Sequence, residues 1–154
     1  MTTVVYSKPH GQVGADTQYT TPSGGITRVN KIERLLDGRV FCGSGHGNSI
    51  ALIRLWAETG FDPEHRPDFS YYLADPEERG FECFVIDELA QSVTIIDEEL
   101  EPYESLDAYV GIGSGSTYAL GALYAGASVE QALTIAAELD PSTSAPHTIV
   151  SLQT

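Results

Sequence analysis

TTVVYSKPHGQVGADTQ, at residues 2–18, is the most informative stretch of the chain for its architecture. Residues 3–7 are β-branched or aromatic for the most part, Pro9-His10-Gly11 is typical of a turn, and residues 12–15 resume a strand-like pattern. The sequence therefore predicts two antiparallel strands at the start of the chain. A threonine, Thr2, precedes the first strand, and an acidic residue, Asp16, follows the second.

Thr2 directly follows Met1, and removal of that methionine would give Thr2 a free α-amine beside its hydroxyl. A hydroxyl is a weak nucleophile unless a neighbouring group takes its proton, and the α-amine of the same residue can do so. Lys31 is one of only two lysines in the chain. Because lysine shifts its pKa readily when it is buried, it can tune such a nucleophile. Thr2, Asp16 and Lys31 are therefore candidates for one catalytic set.

Length and charge narrow the class of protein. A chain of 154 residues is about one domain long, so we expect a single domain over residues 1–154. The net charge of −14 argues against partners that present phosphate groups, which excludes nucleic acids and anionic membrane surfaces. No apolar run approaches the ~20 residues that span a bilayer, and the N-terminus lacks the pattern of a secretory signal. We expect a cytoplasmic protein with Cys42 and Cys83 as buried, reduced thiols.

The first half of the chain is predicted to be mainly strands. Residues 26–35 should form a strand pair that carries Lys31, and Asp37-Gly38 predicts a hairpin turn before a strand at 39–42. The glycine-rich residues 43–47 are predicted to be irregular. A helix capped by Asn48 or Ser49 should follow and end at Gly60.

The second half predicts one more hairpin, a short buried strand, two helices and a final strand. The capping box formed by Ser128 and Gln131 marks the start of the second of these helices. The predicted ranges are 81–86, 92–96, 108–112, 117–124, 128–139 and 147–152. Two antiparallel sheets packed between helix layers would bury these apolar runs, so we expect an α+β protein built as a four-layer α/β/β/α sandwich.

Several other kinds of site are not supported by the motifs. The glycines of residues 111–116 lack the third glycine of a dinucleotide-binding fingerprint, and no phosphate-binding loop precedes either lysine. A nucleophile elbow would need glycines at positions occupied by Ile112 and Ser116. The histidines and cysteines lack zinc-ligand spacing.

Four stretches, taken in order, resemble the N-terminal-threonine hydrolases, the family of proteasome β-type subunits and HslV. Residues 2–5 with 14–18 are similar to the opening strands and their aspartate, and residues 29–35 to the lysine segment. Residues 43–47 are similar to the glycine loop before the first helix, and 110–119 to the Ile-Gly-Ser-Gly start of a later helix. The resemblance implies an N-terminal-nucleophile (Ntn) hydrolase fold.

The resemblance also implies how the reaction would be divided among the residues. Thr2 would attack a carbonyl while its α-amine relays the proton. Lys31, held by Asp16, would favour the deprotonated hydroxyl. The backbone N–H of Gly45 would face the oxyanion.

A second group of residues would support the α-amine. Ser114 would hydrogen-bond near it, and Asp140 resembles the second acidic residue of the family, with Thr143 or Ser142 as its hydroxyl partner. No metal or organic cofactor is implied, although a monovalent cation on backbone carbonyls near Asp140–Ala145 fits the family.

The activity implied is that of a threonine-type peptidase acting on peptides or proteins. Family members are homo-oligomers that can dock to an AAA+ unfoldase, and a long helical hairpin after the first helix helps to build their rings. Here residues 61–80 contain Pro63, Pro67 and Pro76 in its place, so we expect a shortened helical layer. Two alternatives stay open, namely a non-catalytic assembly or binding module and an amidase acting on a small molecule.

Overall fold

The computed structural model describes residues 2–69 and 80–152. Its regular elements, in chain order, are β1 (Val4–Ser7), β2 (Gln12–Ala15), β3 (Gln18–Thr20), β4 (Ile26–Arg28), β5 (Ile32–Arg34), β6 (Val40–Gly45), α1 (Gly47–Glu58), a 3-10 helix (Pro63–His65), β7 (Phe81–Asp87), β8 (Ser92–Asp97), β9 (Tyr103–Ser105), β10 (Tyr109–Ile112), α2 (Ser116–Tyr124), α3 (Val129–Leu139) and β11 (Thr148–Ser151).

The first sheet has the order β10-β1-β2-β11, and all its neighbours are antiparallel. Val4 lies opposite Ile112 on one side and opposite Ala15 on the other. The strand pair predicted at the start of the chain is confirmed. Because β1 is central in this sheet, Thr2 is placed at the end of a strand that is held from both sides.

The second sheet has the order β5-β6-β7-β8-β9 and is also antiparallel. Its centre is the β6–β7 pair, which runs from Val40 opposite Ile86 to Gly45 opposite Phe81. The prediction that residues 43–47 are irregular was wrong, because Gly43, Ser44 and Gly45 continue β6. A Cβ atom on Gly43 would lie 2.7 Å from Ile50 Cγ2, so glycine at this position lets α1 pack closely against β6.

A two-stranded ribbon, β3–β4, lies beside these sheets. The prediction of a strand pair over 26–35 is corrected in one respect. Strand β4 ends at Arg28 and β5 begins at Ile32, so Lys31 lies in the short connection between them rather than within a strand.

Three apolar clusters separate the layers. The first, which includes Val4, Val40 and Phe84, fills the space between the two sheets. The second joins α1 to the outer face of the second sheet through residues such as Ile53 and Phe81. The third joins α2 and α3 to the outer face of the first sheet. This arrangement confirms the predicted α/β/β/α sandwich.

The helix layer on the second sheet contains α1 as its one α-helix in the described ranges. The predicted irregular connection over 61–80 lies partly outside them, since residues 70–79 are not described. His46, not Asn48 or Ser49, is the N-cap of α1, and its side chain makes no capping hydrogen bond. At α3 both hydrogen bonds of the Ser128–Gln131 capping box are present, as predicted.

Cys42 and Cys83 are buried free thiols, as expected. Burial raises the pKa of both, so they are inert apolar side chains rather than nucleophiles. Across residues 2–69 and 80–152, no helix has the length and apolar content needed to cross a membrane.

Candidate active site

Thr2 is buried where β1 begins, and the turn before α2 holds its backbone. The Gly115 N–H donates to the Thr2 carbonyl oxygen at 3.3 Å. Gly113 has a φ of +93°, and a Cβ atom there would lie 2.0 Å from the same oxygen. Only glycine permits so close an approach in this backbone conformation. The glycines of the 110–119 stretch therefore serve to bring the turn against Thr2.

Asp16 is fully buried directly after β2, and its two carboxylate oxygens accept four hydrogen bonds. Oδ1 accepts from Lys31 Nζ at 2.7 Å and from the Thr3 N–H at 2.9 Å. Oδ2 accepts from the Gln18 N–H at 3.1 Å and the Ser144 N–H at 3.3 Å. The carboxylate thus ties Lys31 to Thr3, between Thr2 and β1.

Opposing effects act on the pKa of Lys31. Burial lowers its pKa below the usual lysine value and outweighs the hydrogen bond and negative charge of Asp16, which act to raise it. The nearby positive charge of Arg28 lowers it further. A lysine in this environment is the type that can exchange or stabilise a proton near a nucleophile.

A second polar cluster lies behind Thr2, where α3 ends. Asp140 Oδ2 accepts hydrogen bonds from Ser114 Oγ at 2.6 Å and Thr143 Oγ1 at 2.7 Å, and Oδ1 accepts from the Ser142 N–H at 3.1 Å. Burial acts to raise the Asp140 pKa, but these hydrogen bonds outweigh it and hold the pKa below the usual aspartate value. Of the two hydroxyl partners that the resemblance offered, Thr143 donates through its side chain, whereas Ser142 contributes its backbone N–H.

Thr3 joins the two clusters, and the sequence alone did not point to it. Its N–H donates to Asp16 Oδ1, and its hydroxyl lies 2.6 Å from Thr143 Oγ1. The one signal in the sequence was a second hydroxyl side chain directly after Thr2, and the structure buries it fully just before β1.

A pocket of about 280 Å³ opens beside Thr2. Thr2, Lys31 and Gly45 all line it, so the proposed nucleophile, cation and oxyanion donor face one space. Gly47 and Tyr19 also line it.

The pocket wall at Gly45 packs closely against the start of β7. Gly45 has a φ of +116°, and a Cβ atom there would lie 2.2 Å from the Gly80 carbonyl oxygen. That oxygen accepts the His46 N–H at 2.9 Å. Glu82, on β7, accepts the Gly113 N–H at 2.9 Å. Strand β7 and the residue before it thus brace both the glycine loop and the turn that holds Thr2, and no sequence motif pointed to Glu82.

Residues 2–69 and 80–152 contain no group of three or more histidine, cysteine or acidic side chains arranged to hold a metal ion. In the segment where a monovalent cation was suggested, the Asp140 carbonyl oxygen accepts the Thr143 N–H at 3.1 Å. The cation site stays a prediction.

The layer order defines a class of structure, the α/β/β/α sandwich known as the Ntn-hydrolase fold. The architecture is that of HslV and the proteasome β-subunits. A crystal structure of eukaryotic HslV from Trypanosoma brucei superposes with a TM-score of 0.71, covers 99% of each chain, and is 22% identical in sequence. No protein-family model matches the sequence, and no curated protein matches it. At this level of identity the likeness establishes the fold.

Proposed function

We propose that this protein is a threonine-type peptidase in which Thr2 is the nucleophile after removal of Met1. The observation that carries the proposal is the convergence of Thr2, Lys31 and Gly45 on one pocket, with Lys31 paired to buried Asp16. In this arrangement the hydroxyl of Thr2, the ammonium of Lys31 and the backbone of Gly45 lie beside the same pocket. Peptides or proteins are the proposed substrates.

In the first half of the reaction, Thr2 Oγ1 attacks the carbonyl carbon of the scissile amide. The Thr2 α-amine accepts the hydroxyl proton and later gives it to the leaving amine. The Lys31 charge favours the oxygen as it becomes nucleophilic. The Gly45 N–H is the proposed donor to the oxyanion of the tetrahedral intermediate. Loss of the amine leaves an ester between Thr2 and the acyl fragment.

In the second half, water attacks the ester carbonyl, the α-amine takes one proton from that water, and Thr2 Oγ1 leaves with a proton. The free acid is released and the threonine is regenerated. Asp140, with its partners Ser114 and Thr143, would act on the α-amine in both halves of the reaction. The negative charge of its carboxylate favours a protonated amine nearby.

The test begins with the intact mass of the purified chain, which should show loss of Met1. Thr2→Ala should then reduce hydrolysis of fluorogenic peptides to background, whereas Thr134→Ala, in α3, should retain it. A chain that keeps Met1 lacks the α-amine and should be inactive. Hydrolysis by Thr2→Ala equal to that of the native chain would exclude Thr2 as the nucleophile.

We further propose a cytoplasmic homo-oligomer. Native mass spectrometry of the purified protein measures its assembly directly. A multiple of the 16.6 kDa chain is expected, and a monomer at micromolar concentration would contradict this part of the proposal.

A further inference from the structure

The pocket beside Thr2 has two ends, and strand register defines them. Lys31 and Glu33 line the pocket on alternate positions, while Ile32 between them points into the core between the sheets. Across the pair, Glu33 lies opposite Phe41. Glu33 lies two residues after Lys31, at most about 7 Å further along an extended chain, and its carboxylate contacts Arg54.

Helix α1 supplies the opposite wall. Gly47, Ile50, Ala51 and Arg54 line the pocket, and their spacing of three and four residues places them on one helical face. Gly47 is at the end of the helix near Thr2, and Arg54 is two turns further along. The far end of the pocket is therefore formed by Glu33, Phe41 and Arg54.

The lining of the pocket also includes Tyr19 and Asn30, but much of the rest is apolar. Gly43 contributes no side chain, and Val29, Ile50 and Ala51 are apolar. An aliphatic stem can lie along this stretch without leaving a polar group unpaired. A side chain that reaches the far end must therefore be long and apolar for most of its length.

Two carboxylates lie near one guanidinium at the far end, where Glu33 lines the pocket and Glu58 does not. Arg54 Nε lies 3.3 Å from Glu33 Oε2, and Arg54 Nη1 lies 3.8 Å from Glu58 Oε1. One guanidinium thus faces two carboxylates. The other cation of the pocket, Lys31, is already matched by Asp16 at 2.7 Å. The overall charge of −14 acts in the same direction.

From this geometry we propose that the pocket takes a long basic side chain, lysine or arginine, and that Glu33 is the residue that selects it. The proposal rests on the proposed function, because it assigns the substrate class of the same site. The acyl fragment bound to Thr2 would end in the basic residue, so cleavage falls on its carbonyl side. Arg54 keeps Glu58 as its partner when Glu33 turns to the substrate.

Peptide substrates that differ only in the residue before the cleaved bond test the assignment. Arginine and lysine should be hydrolysed about fivefold faster, in kcat/KM, than norleucine, the gain expected of a partly exposed ion pair. Glutamate should be hydrolysed more slowly than norleucine. The reverse order, with glutamate preferred, would assign recognition to Arg54 and overturn the proposal.

Two variants move the preference in opposite directions. Glu33→Gln should abolish the advantage of arginine over norleucine, whereas Arg54→Gln should increase it, because Glu33 then lacks a competing cation. Glu98→Gln, in the exposed turn after β8, is the matched control and should leave the ratio unchanged. An unchanged ratio in Glu33→Gln would contradict the role of Glu33.

Binding without hydrolysis separates this proposal from the proposed function. Calorimetry with the Thr2→Ala chain should show tighter binding of an acetylated peptide amide ending in arginine than of its norleucine analogue, and Glu33→Gln should remove the difference. If that holds while the native chain hydrolyses nothing, the pocket assignment stands and the peptidase proposal falls. If peptides are hydrolysed without a basic preference, the reverse holds. Equal binding of the two amides would overturn the pocket assignment.

Discussion

The hydroxyl oxygens of Thr3 and Thr143 lie 2.6 Å apart, although 140 positions separate the two residues in the chain. The contact joins β1 to the turn that follows α3. Through the Thr3 N–H it reaches Asp16, and through the Thr143 hydroxyl it reaches Asp140. The two acidic residues of the proposed site are thus held in one hydrogen-bonded system on either side of Thr2.

Removing the Thr143 hydroxyl should loosen this system. Thr143→Val keeps the shape of the side chain but leaves the Thr3 hydroxyl and Asp140 each without one partner. We expect a loss of about 1–3 kcal/mol in the free energy of unfolding, the usual result of leaving buried polar groups unpaired. Urea denaturation measures the loss.

Thr134→Val is the matched control. Thr134 is exposed, and its hydroxyl donates to the Glu130 carbonyl oxygen within α3 at 2.9 Å. Its replacement should change stability by no more than about 0.5 kcal/mol. Equal losses in the two variants would show that the Thr3–Thr143 contact contributes nothing specific.

Replacing only one member of the Asp16–Lys31 pair should strongly reduce the free energy of unfolding. Both side chains are almost inaccessible, with relative exposures of 0% and 6%. Lys31→Met leaves the Asp16 charge buried without its cation, so we expect a loss of about 3–5 kcal/mol in the free energy of unfolding. Peptidase activity should also be lost. Thermal and urea unfolding of the two chains provide the comparison.

The double variant Asp16→Asn with Lys31→Met should recover part of that stability, because no charge then remains buried. Recovery should be incomplete, since asparagine has one carbonyl oxygen for the N–H donors of Thr3, Gln18 and Ser144. Arg66→Met, which breaks an exposed pair with Glu101, is the control and should cost less than about 1 kcal/mol. A double variant less stable than Lys31→Met would contradict this account.

Two glycines of the pocket wall should respond differently to alanine. Gly45→Ala places a Cβ atom 2.2 Å from the Gly80 carbonyl oxygen at a φ of +116°. The backbone strain alone is worth about 1–3 kcal/mol, and activity should fall. Gly47→Ala meets no atom within 4 Å and lies in the first turn of α1, so it should be neutral or stabilising by up to about 1 kcal/mol. Similar melting temperatures for the two variants would refute the prediction.

His147 should make stability depend on pH. Burial lowers its pKa below the usual histidine value and outweighs the charges of Asp16 and Glu130, which act to raise it. The ring Nε2 is buried without a hydrogen-bond partner within the described ranges. Below the unfolded pKa of about 6.5 the unfolded chain binds the proton more readily, so stability should fall as pH drops through the window just below that value.

His147→Gln should flatten the pH dependence of the unfolding free energy in this window. His65→Gln, at an exposed position in the 3-10 helix, should leave it intact. Urea unfolding at a series of pH values between about 5 and 7 measures the slopes. A slope unchanged by His147→Gln would assign the effect to other groups.

Local sequence patterns were sufficient to predict the elements whose conformation depends mainly on neighbouring residues. The strand at 12–15 and the Ser128–Gln131 capping box follow from alternation and side-chain hydrogen bonding, and both are where the sequence placed them. Gly43 and Gly45 predicted an irregular segment, because glycine usually weakens a strand. Glycine lies at these positions because α1 and the start of β7 approach closely there, and the spacing of residues in the sequence does not reveal that approach.

The sequence by itself determined the order of most strands and helices and the residue types around Thr2, because propensity, periodicity and capping act over a few neighbouring residues. It did not predict the short strands β3 and β9. The tertiary structure decided which of these residues meet. Thr3 with Thr143, Glu82 with the Gly113 N–H, and Glu33 with Arg54 are pairs between separate elements. Such pairs depend on strand register and on how the helices pack against the sheets. Many alternative pairings satisfy the same local pattern, and only burial of the three apolar clusters together selects this one.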